Sequence, residues 1–174
     1  MRTFLGLVTL VLLAAPSAGQ QSKDHSWDAW RFLLGDWVGE GDGQPGQASA
    51  GGFSFAFDLQ GKVLVRRNHA EYAATSDRPA FRHDDLMVIY DDSRGTGKRA
   101  IYFDNEGHII DYTVTVSQDL KTLNFVGDTP ATGPRFRFTY YKVADDALRF
   151  RFDIAPPGKP DAFTKYIEGT PRRK

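Results

Sequence analysis

The stretch FSFAFDLQGKVLVRRNHAEY, residues 53–72, decides the fold of this chain. Phe53, Phe55 and Phe57 alternate with small or polar residues, which is the period of a strand with one buried face. Gln60-Gly61 is typical of a hairpin turn, and an extended pattern continues after it. The stretch therefore predicts two long antiparallel strands that present one aromatic face to a core.

Segments of the same kind continue along the chain, and each is bounded by glycine, proline or asparagine. We predict ten strands, at residues 36–41, 53–59, 62–72, 85–90, 98–104, 108–116, 122–127, 135–143, 147–154 and 163–170. Their connections are nearly all of hairpin length, which favours an up-and-down order. Closure would remove the two exposed edges of such a sheet. The prediction is an all-β protein, a ten-stranded antiparallel up-and-down barrel.

A short helical pattern precedes the first strand, at residues 24–34. Trp27, Trp30 and Leu34 lie at i, i+3 and i+7, so they share one face of the helix. Gly35 is a suitable residue to end it. Because a helix this short is marginal alone, its tryptophans must pack on an apolar surface. We expect it to cover one end of the barrel.

The first residues have the pattern of a secretory signal peptide. A basic residue is followed by a mostly apolar run at 4–15 and by small residues that end at Gly19. We expect residues 1–19 to be removed and residues 20–174 to form a single β-barrel ligand-binding domain. The apolar run is too short to span a bilayer. These features predict a secreted or periplasmic protein without a transmembrane segment.

Composition argues against several functional classes. The chain of 174 residues has 22 lysines and arginines against 22 aspartates and glutamates, so no basic excess exists to neutralise nucleic-acid phosphates. It contains no cysteine, which excludes disulfides, thiolate metal sites and cysteine nucleophiles. It also lacks the G-x-S-x-G and H-E-x-x-H motifs of hydrolases. We expect a monomer with no nucleic-acid partner and no metal, and whether it is an enzyme stays open.

A glycine-rich segment, GDWVGEGDGQPG at residues 35–46, joins the helix to the barrel. Gly41, Gly43 and Gly46 match a dinucleotide-binding fingerprint in form, but no apolar helix follows them, so nucleotide binding is not expected. Alternate glycines instead remove side chains from one face of a strand. That allows sharp bending or the close approach of another backbone.

The start of the chain resembles known β-barrels in a motif of glycines and tryptophans: Trp27, Trp30, Gly35, Trp37, Gly39, Gly41 and Gly43. The Gly-x-Trp pair after a short helix is similar to the start of lipocalins and other calycins. The segments FLLGDWVGEGDGQPG, GKVLVRRNHAEY, HDDLMVIY and AIYFDNEGH resemble an exported bacterial lipocalin-like family of uncharacterised function. The resemblance implies a ten-stranded up-and-down barrel of calycin type that binds a small ligand. By analogy with calycins, a C-terminal arginine such as Arg172 would stack on Trp37.

Haem binding is an alternative, because the glycine series is also similar to the opening of nitrobindins, which are haem-binding barrels. Nitrobindins carry their axial histidine near the C-terminus, whereas residues 163–174 contain none. A neutral histidine elsewhere would have to serve, and the four in this chain are His25, His69, His83 and His108. We therefore expect no cofactor, with haem as the alternative.

The segment RRNHAEY, residues 66–72, is the most polar part of a predicted central strand. Period two places Arg67, His69 and Glu71 on one face and Arg66 on the other. Whichever face points inward, the interior receives an arginine. The alternative is a solvated outer face with ion pairs between strands.

The length of the turn decides which face of this strand points inward. A two-residue turn pairs Leu59 with Lys62, whereas a three-residue turn pairs Asp58 with Lys62. We favour the three-residue turn because it places an ion pair at the surface. It also places the odd-numbered residues of the strand beside the phenylalanines.

These observations predict a binding site inside the barrel for a small hydrophobic or amphipathic ligand, with an aromatic lining and a few polar anchors. The predicted ligand-binding residues are Arg67, His69, Glu71, Phe53, Phe55, Tyr102, His108 and Tyr112. We assign no catalytic residue. The remaining alternative is a small isomerase or hydrolase in which His69 or His108 acts as a general base.

Overall fold

The computed structural model of the protein describes residues 25–39, 50–95, 97–130 and 132–174. The expected signal peptide at residues 1–19 and the glycines at 41, 43 and 46 lie outside these ranges. No helix within them is long and apolar enough to cross a membrane.

The described chain forms one antiparallel sheet, as the alternating pattern predicts. It has eleven strands: β1 (Gly35–Gly39), β2 (Ala50–Asp58), β3 (Val63–Tyr72), β4 (Phe81–Asp91), β5 (Lys98–Asp104), β6 (Ile109–Val116), β7 (Thr122–Gly127), β8 (Arg135–Lys142), β9 (Leu148–Ala155), β10 (Thr164–Gly169) and β11 (Arg172–Arg173). Strands β1 to β10 follow chain order in the sheet, and β11 pairs with β1. The predicted count of ten is wrong by this last, two-residue strand.

The sheet curls into a barrel-like shape that stays open, so the prediction of a closed barrel is wrong. β10 and β11 stand at the two ends of the strand order. Near the start of β9, Ala147 forms an isolated bridge with Arg172, and the Leu148 amide donates to Pro171 O at 3.2 Å. Because β11 is so short and meets the start of β9, it does not close the sheet along β10.

A 3₁₀ helix at His25–Leu33, hereafter the plug helix, covers one end of the curled sheet as expected. Its buried residues are Trp27, Trp30 and Leu33. Their spacing of three is the period of a 3₁₀ helix, which explains why Leu33 takes the core position expected of Leu34. Trp30 packs edge-on against Phe125 with ring centroids 5.8 Å apart.

Burial of the inner face falls from the plug helix toward the opposite end, hereafter the open end. On β8, Tyr140 lies nearest the plug helix and is fully buried, whereas Phe138 and Phe136 are partly buried. The same change occurs on β9 between Leu148 and Phe150. The partly buried aromatic and aliphatic residues of this inner face include Tyr102, Ile110, Phe136, Phe138, Phe150 and Phe152.

Trp37 and Arg173 contact each other, and both form hydrogen bonds with the plug helix, so they hold β11 beside it. The two residues are direct partners in the β1–β11 ladder, and the Arg173 Cζ lies 4.4 Å from the indole centroid. Arg173 also donates to the carbonyls of Leu34 and Phe32, and Trp37 Nε1 donates to Leu33 O at 2.7 Å. The expected cation–π contact is therefore present, with Arg173 in place of Arg172 because of this register.

Close backbone approach at glycine occurs on β2. A Cβ on Gly52 would lie 2.6 Å from Trp37 O, so only glycine fits there without a shift of β1.

Candidate ligand-binding site

The register between β2 and β3 turns the even-numbered face of β3 inward. Phe55 pairs with Arg66 and Phe53 with Asn68, so these side chains share the inner face. Asp58 pairs with Val63 across a 3₁₀ turn at Leu59–Gly61. The favoured three-residue turn is therefore wrong, and the register equals that of the two-residue alternative. The chain takes this longer connection with Gln60 in the left-handed region, at φ 58° and ψ 36°.

This register moves the predicted polar anchors out of the interior. Arg67, His69 and Glu71 are exposed on the outer face of β3. His108 is also exposed, on the turn between β5 and β6, and its Nδ1 lies 2.8 Å from Asp104 Oδ2. The positions of His69 and His108 therefore give no support to a general base acting inside the barrel.

The predicted aromatic lining does lie on the inner face. Phe53, Phe55 and Tyr112 are buried, and Tyr102 is partly buried. Phe53 and Phe55 contact each other edge-on, with ring centroids 5.8 Å apart. The structure thus brings together the four aromatic residues of the predicted site and separates them from its polar ones.

A buried ion pair between Arg66 and Asp85 takes the place of the predicted anchors. The side chains are 6% and 4% exposed, and Arg66 Nη1 donates to Asp85 Oδ1. The other carboxylate oxygen accepts from Asn68 Nδ2 at 2.8 Å. Burial alone would raise the pKa of Asp85, but Arg66 and His83 outweigh it and hold that pKa below its ordinary value.

His83 links this buried pair to the surface. Its Nε2 lies 3.3 Å from Asp85 Oδ2, and its Nδ1 lies 2.7 Å from Glu106 Oε1 on the β5–β6 turn. Hydrogen bonding to Asp85, aided by Glu106 and opposed by burial, raises the pKa of His83 to about 9. The ring is therefore an imidazolium at neutral pH. The Tyr102 hydroxyl lies 3.2 Å from both His83 Nε2 and Asp104 Oδ2.

Two polar groups at the inner side of the ion pair, one on Arg66 and one on Tyr140, have no hydrogen-bond partner among the described residues. Its guanidinium lies between the rings of Phe53 and Phe138, with Cζ 5.4 and 5.5 Å from their centroids. Within the described ranges, Arg66 Nε and the Tyr140 hydroxyl are both buried and make no hydrogen bond. Burial raises the pKa of Tyr140, and the adjacent Arg66 guanidinium opposes that rise. No hydrogen bond of ordinary geometry joins the two groups. Buried donors of this kind are costly and are normally paired.

Sequence reasoning missed His83, Asp85 and Tyr140 as parts of the site. A signal for the first two does exist, because His83 and Asp85 continue the alternation of the buried Met87 and Ile89 on β4. Polar residues in phase with an apolar face point inward with it. No local pattern distinguishes Tyr140 from its neighbours on β8.

A depression of about 1050 Å³ opens beside the inner site, at the ends of β1 to β4. Phe53, Asn68 and Asp85 line it from the inner face, and Arg67 and His69 line it from the outer face. Asp85 of the buried ion pair therefore borders this depression.

His69, His83 and His108 do not fit axial ligation of haem. Both ring nitrogens of His83 face acidic or phenolic partners, which keeps the ring protonated, and a haem ligand must be neutral. His69 and His108 lie on the outside. Among the residues that the structure describes, no group of three metal-ligating side chains comes together.

A scan against models of known protein families and a search of curated proteins found no match to this chain.

Proposed function

We propose that this chain is an exported, calycin-like binding protein that takes a small amphipathic or apolar ligand into the open end of its curled sheet. The observation that carries the proposal is the fall in burial along the inner face. Aromatic side chains that face inward are normally packed to full burial in a core, yet Phe136, Phe138 and Phe150 are only partly buried. An apolar ligand would complete their burial.

Polar groups that are more fully buried than these aromatic side chains support the same function. Ligand pockets are mostly apolar and contain a few well-placed polar groups that orient the ligand. Here the side chains of Arg66 and Asp85 are buried, whereas Phe136 is only partly buried. The buried Tyr140 lies beside the ion pair. The signal-peptide pattern at residues 1–19 supports export.

Titration with Nile red, a neutral dye that fluoresces in apolar surroundings, tests this proposal. Ile110→Trp places a larger side chain in the open end, where Ile110 is partly buried on the inner face. We expect it to weaken dye binding at least tenfold. Ile109→Trp is the matched control, because Ile109 is the neighbouring residue and is exposed. Equal dye affinity in the two variants would place binding elsewhere and overturn the proposal.

A further inference from the structure

Resting on the proposed interior site, we propose that the ligand is a monocarboxylic acid. It binds as its carboxylate, with the charged group inward against Arg66 and Tyr140 and the apolar body toward the open end.

The unpartnered donors carry this proposal. Asp85 binds Arg66 through Nη1, and its other oxygen is occupied by Asn68 and His83. Asp85 therefore leaves the Nε–H of Arg66 without an acceptor, and the Tyr140 O–H beside it has none either. A carboxylate has two oxygens with acceptor capacity only. It could accept from both donors at once, and such charge-assisted hydrogen bonds are the strong ones.

The charge of the buried cluster favours a monoanion over a dianion. Arg66 is a cation, and the contacts of His83 with Asp85 and Glu106 keep it one at neutral pH. Asp85 pairs with Arg66, and Glu106, which is half exposed, pairs with His83, so two cations face two carboxylates. A monoanion would add a single buried charge beside the guanidinium, whereas a dianion would bury two.

The aromatic side chains between this cluster and the open end indicate that the ligand has an apolar body. Phe136 and Phe152 stack with centroids 5.8 Å apart and planes 10° apart, and Phe138 and Phe150 stack with centroids 5.7 Å apart. These rings line the inner face between the guanidinium and the open end. The rings offer apolar contact and no hydrogen-bonding group. The polar end of the ligand is therefore expected only beside Arg66 and Tyr140.

Calorimetric titration of the full chain with octanoate, octan-1-ol and octyl phosphate tests the proposal, because the three share one apolar body. We expect octanoate to bind at least tenfold more tightly than either of the others. Tyr140→Phe removes only the unpartnered hydroxyl, so it should leave the thermal midpoint of the free protein unchanged or higher. It should weaken octanoate about tenfold or more and leave octan-1-ol unaffected.

A double variant, Arg66→Met with Asp85→Leu, removes both charges of the buried pair and avoids leaving either one alone. It should lose the preference for octanoate over octan-1-ol. Arg67→Met, on the exposed face of the same strand, should keep it. If octan-1-ol binds as well as octanoate, or Tyr140→Phe binds octanoate as the parent does, the carboxylate proposal is wrong while interior binding stands. If none of the three compounds binds and Ile110→Trp leaves Nile red affinity unchanged, both proposals fail.

Discussion

Trp37 contacts three separate parts of the chain. Its indole nitrogen donates to the end of the plug helix, one ring face meets Arg173, and the ring stacks on Phe53 with centroids 6.2 Å apart. The side chain is 1% exposed. We expect Trp37→Ala to lower the free energy of unfolding by about 3–5 kcal/mol, measured by urea titration. Val38→Ala, at a position 42% exposed, should change it by less than about 0.5 kcal/mol. Similar losses in the two variants would contradict this role.

His83 makes stability depend on pH in a specific direction. Its pKa is about 9 in the folded protein against 6.5 for a free histidine. Because the folded state holds the proton more tightly, the contribution of His83 is fully present below pH 6.5 and is lost as the pH rises through 9. We expect the difference in thermal midpoint between the parent and His83→Gln to shrink over that interval. His69→Gln, on the outer face, is the control. A difference that stays constant from pH 6 to 9.5 would rule out this linkage.

The plug helix is stabilised by tertiary packing along a three-residue period. Leu33 is 0% exposed, whereas Leu34 is partly buried. We expect Leu33→Ala to destabilise the protein by about 2–5 kcal/mol, because it opens a cavity under the helix. Leu34→Ala should cost clearly less, since it removes a side chain at the margin of the core. Thermal or urea unfolding of the pair measures both, and the reverse order would indicate an α-helical face instead.

The whole molecule has an open sheet and therefore exposed edges, which favour association through edge strands. A bulge between Lys165 and Ile167 interrupts the edge strand β10 at Tyr166, whose side chain is 64% exposed. Bulges of this kind make an edge irregular and discourage pairing with another chain. We expect the parent to be a monomer in light scattering after gel filtration. Deletion of Tyr166 should regularise the edge and produce dimers or larger species. A monomeric deletion variant would show that the bulge has no such role.

Period-two patterns were sufficient to predict all ten of the longer strands and their order, because each strand pairs with its neighbour in the chain. The register of β3 was not predictable, since two turn lengths were compatible with Gln60-Gly61 and the surface ion pair favoured the wrong one. Because of this turn length alone, the predicted site contains Arg67, whereas the structure places Arg66 there. Tyr140 was not predictable either, because its partner-free hydroxyl depends on β8 lying across the interior from β3. β11 was too short to produce a pattern.

The contact between Arg173 and the plug helix has a consequence for the order of folding. Strands β1 to β10 each pair with the next strand in the chain, so this meander can assemble hairpin by hairpin. Arg173 instead meets Leu34 across 139 residues. Closing a loop of that length costs about 2 kcal/mol more in chain entropy than closing a ten-residue hairpin. The contact is therefore expected to form last and to open first. Amide hydrogens of β11 should exchange with solvent well before those of β3 and β4, while the rest of the sheet remains folded.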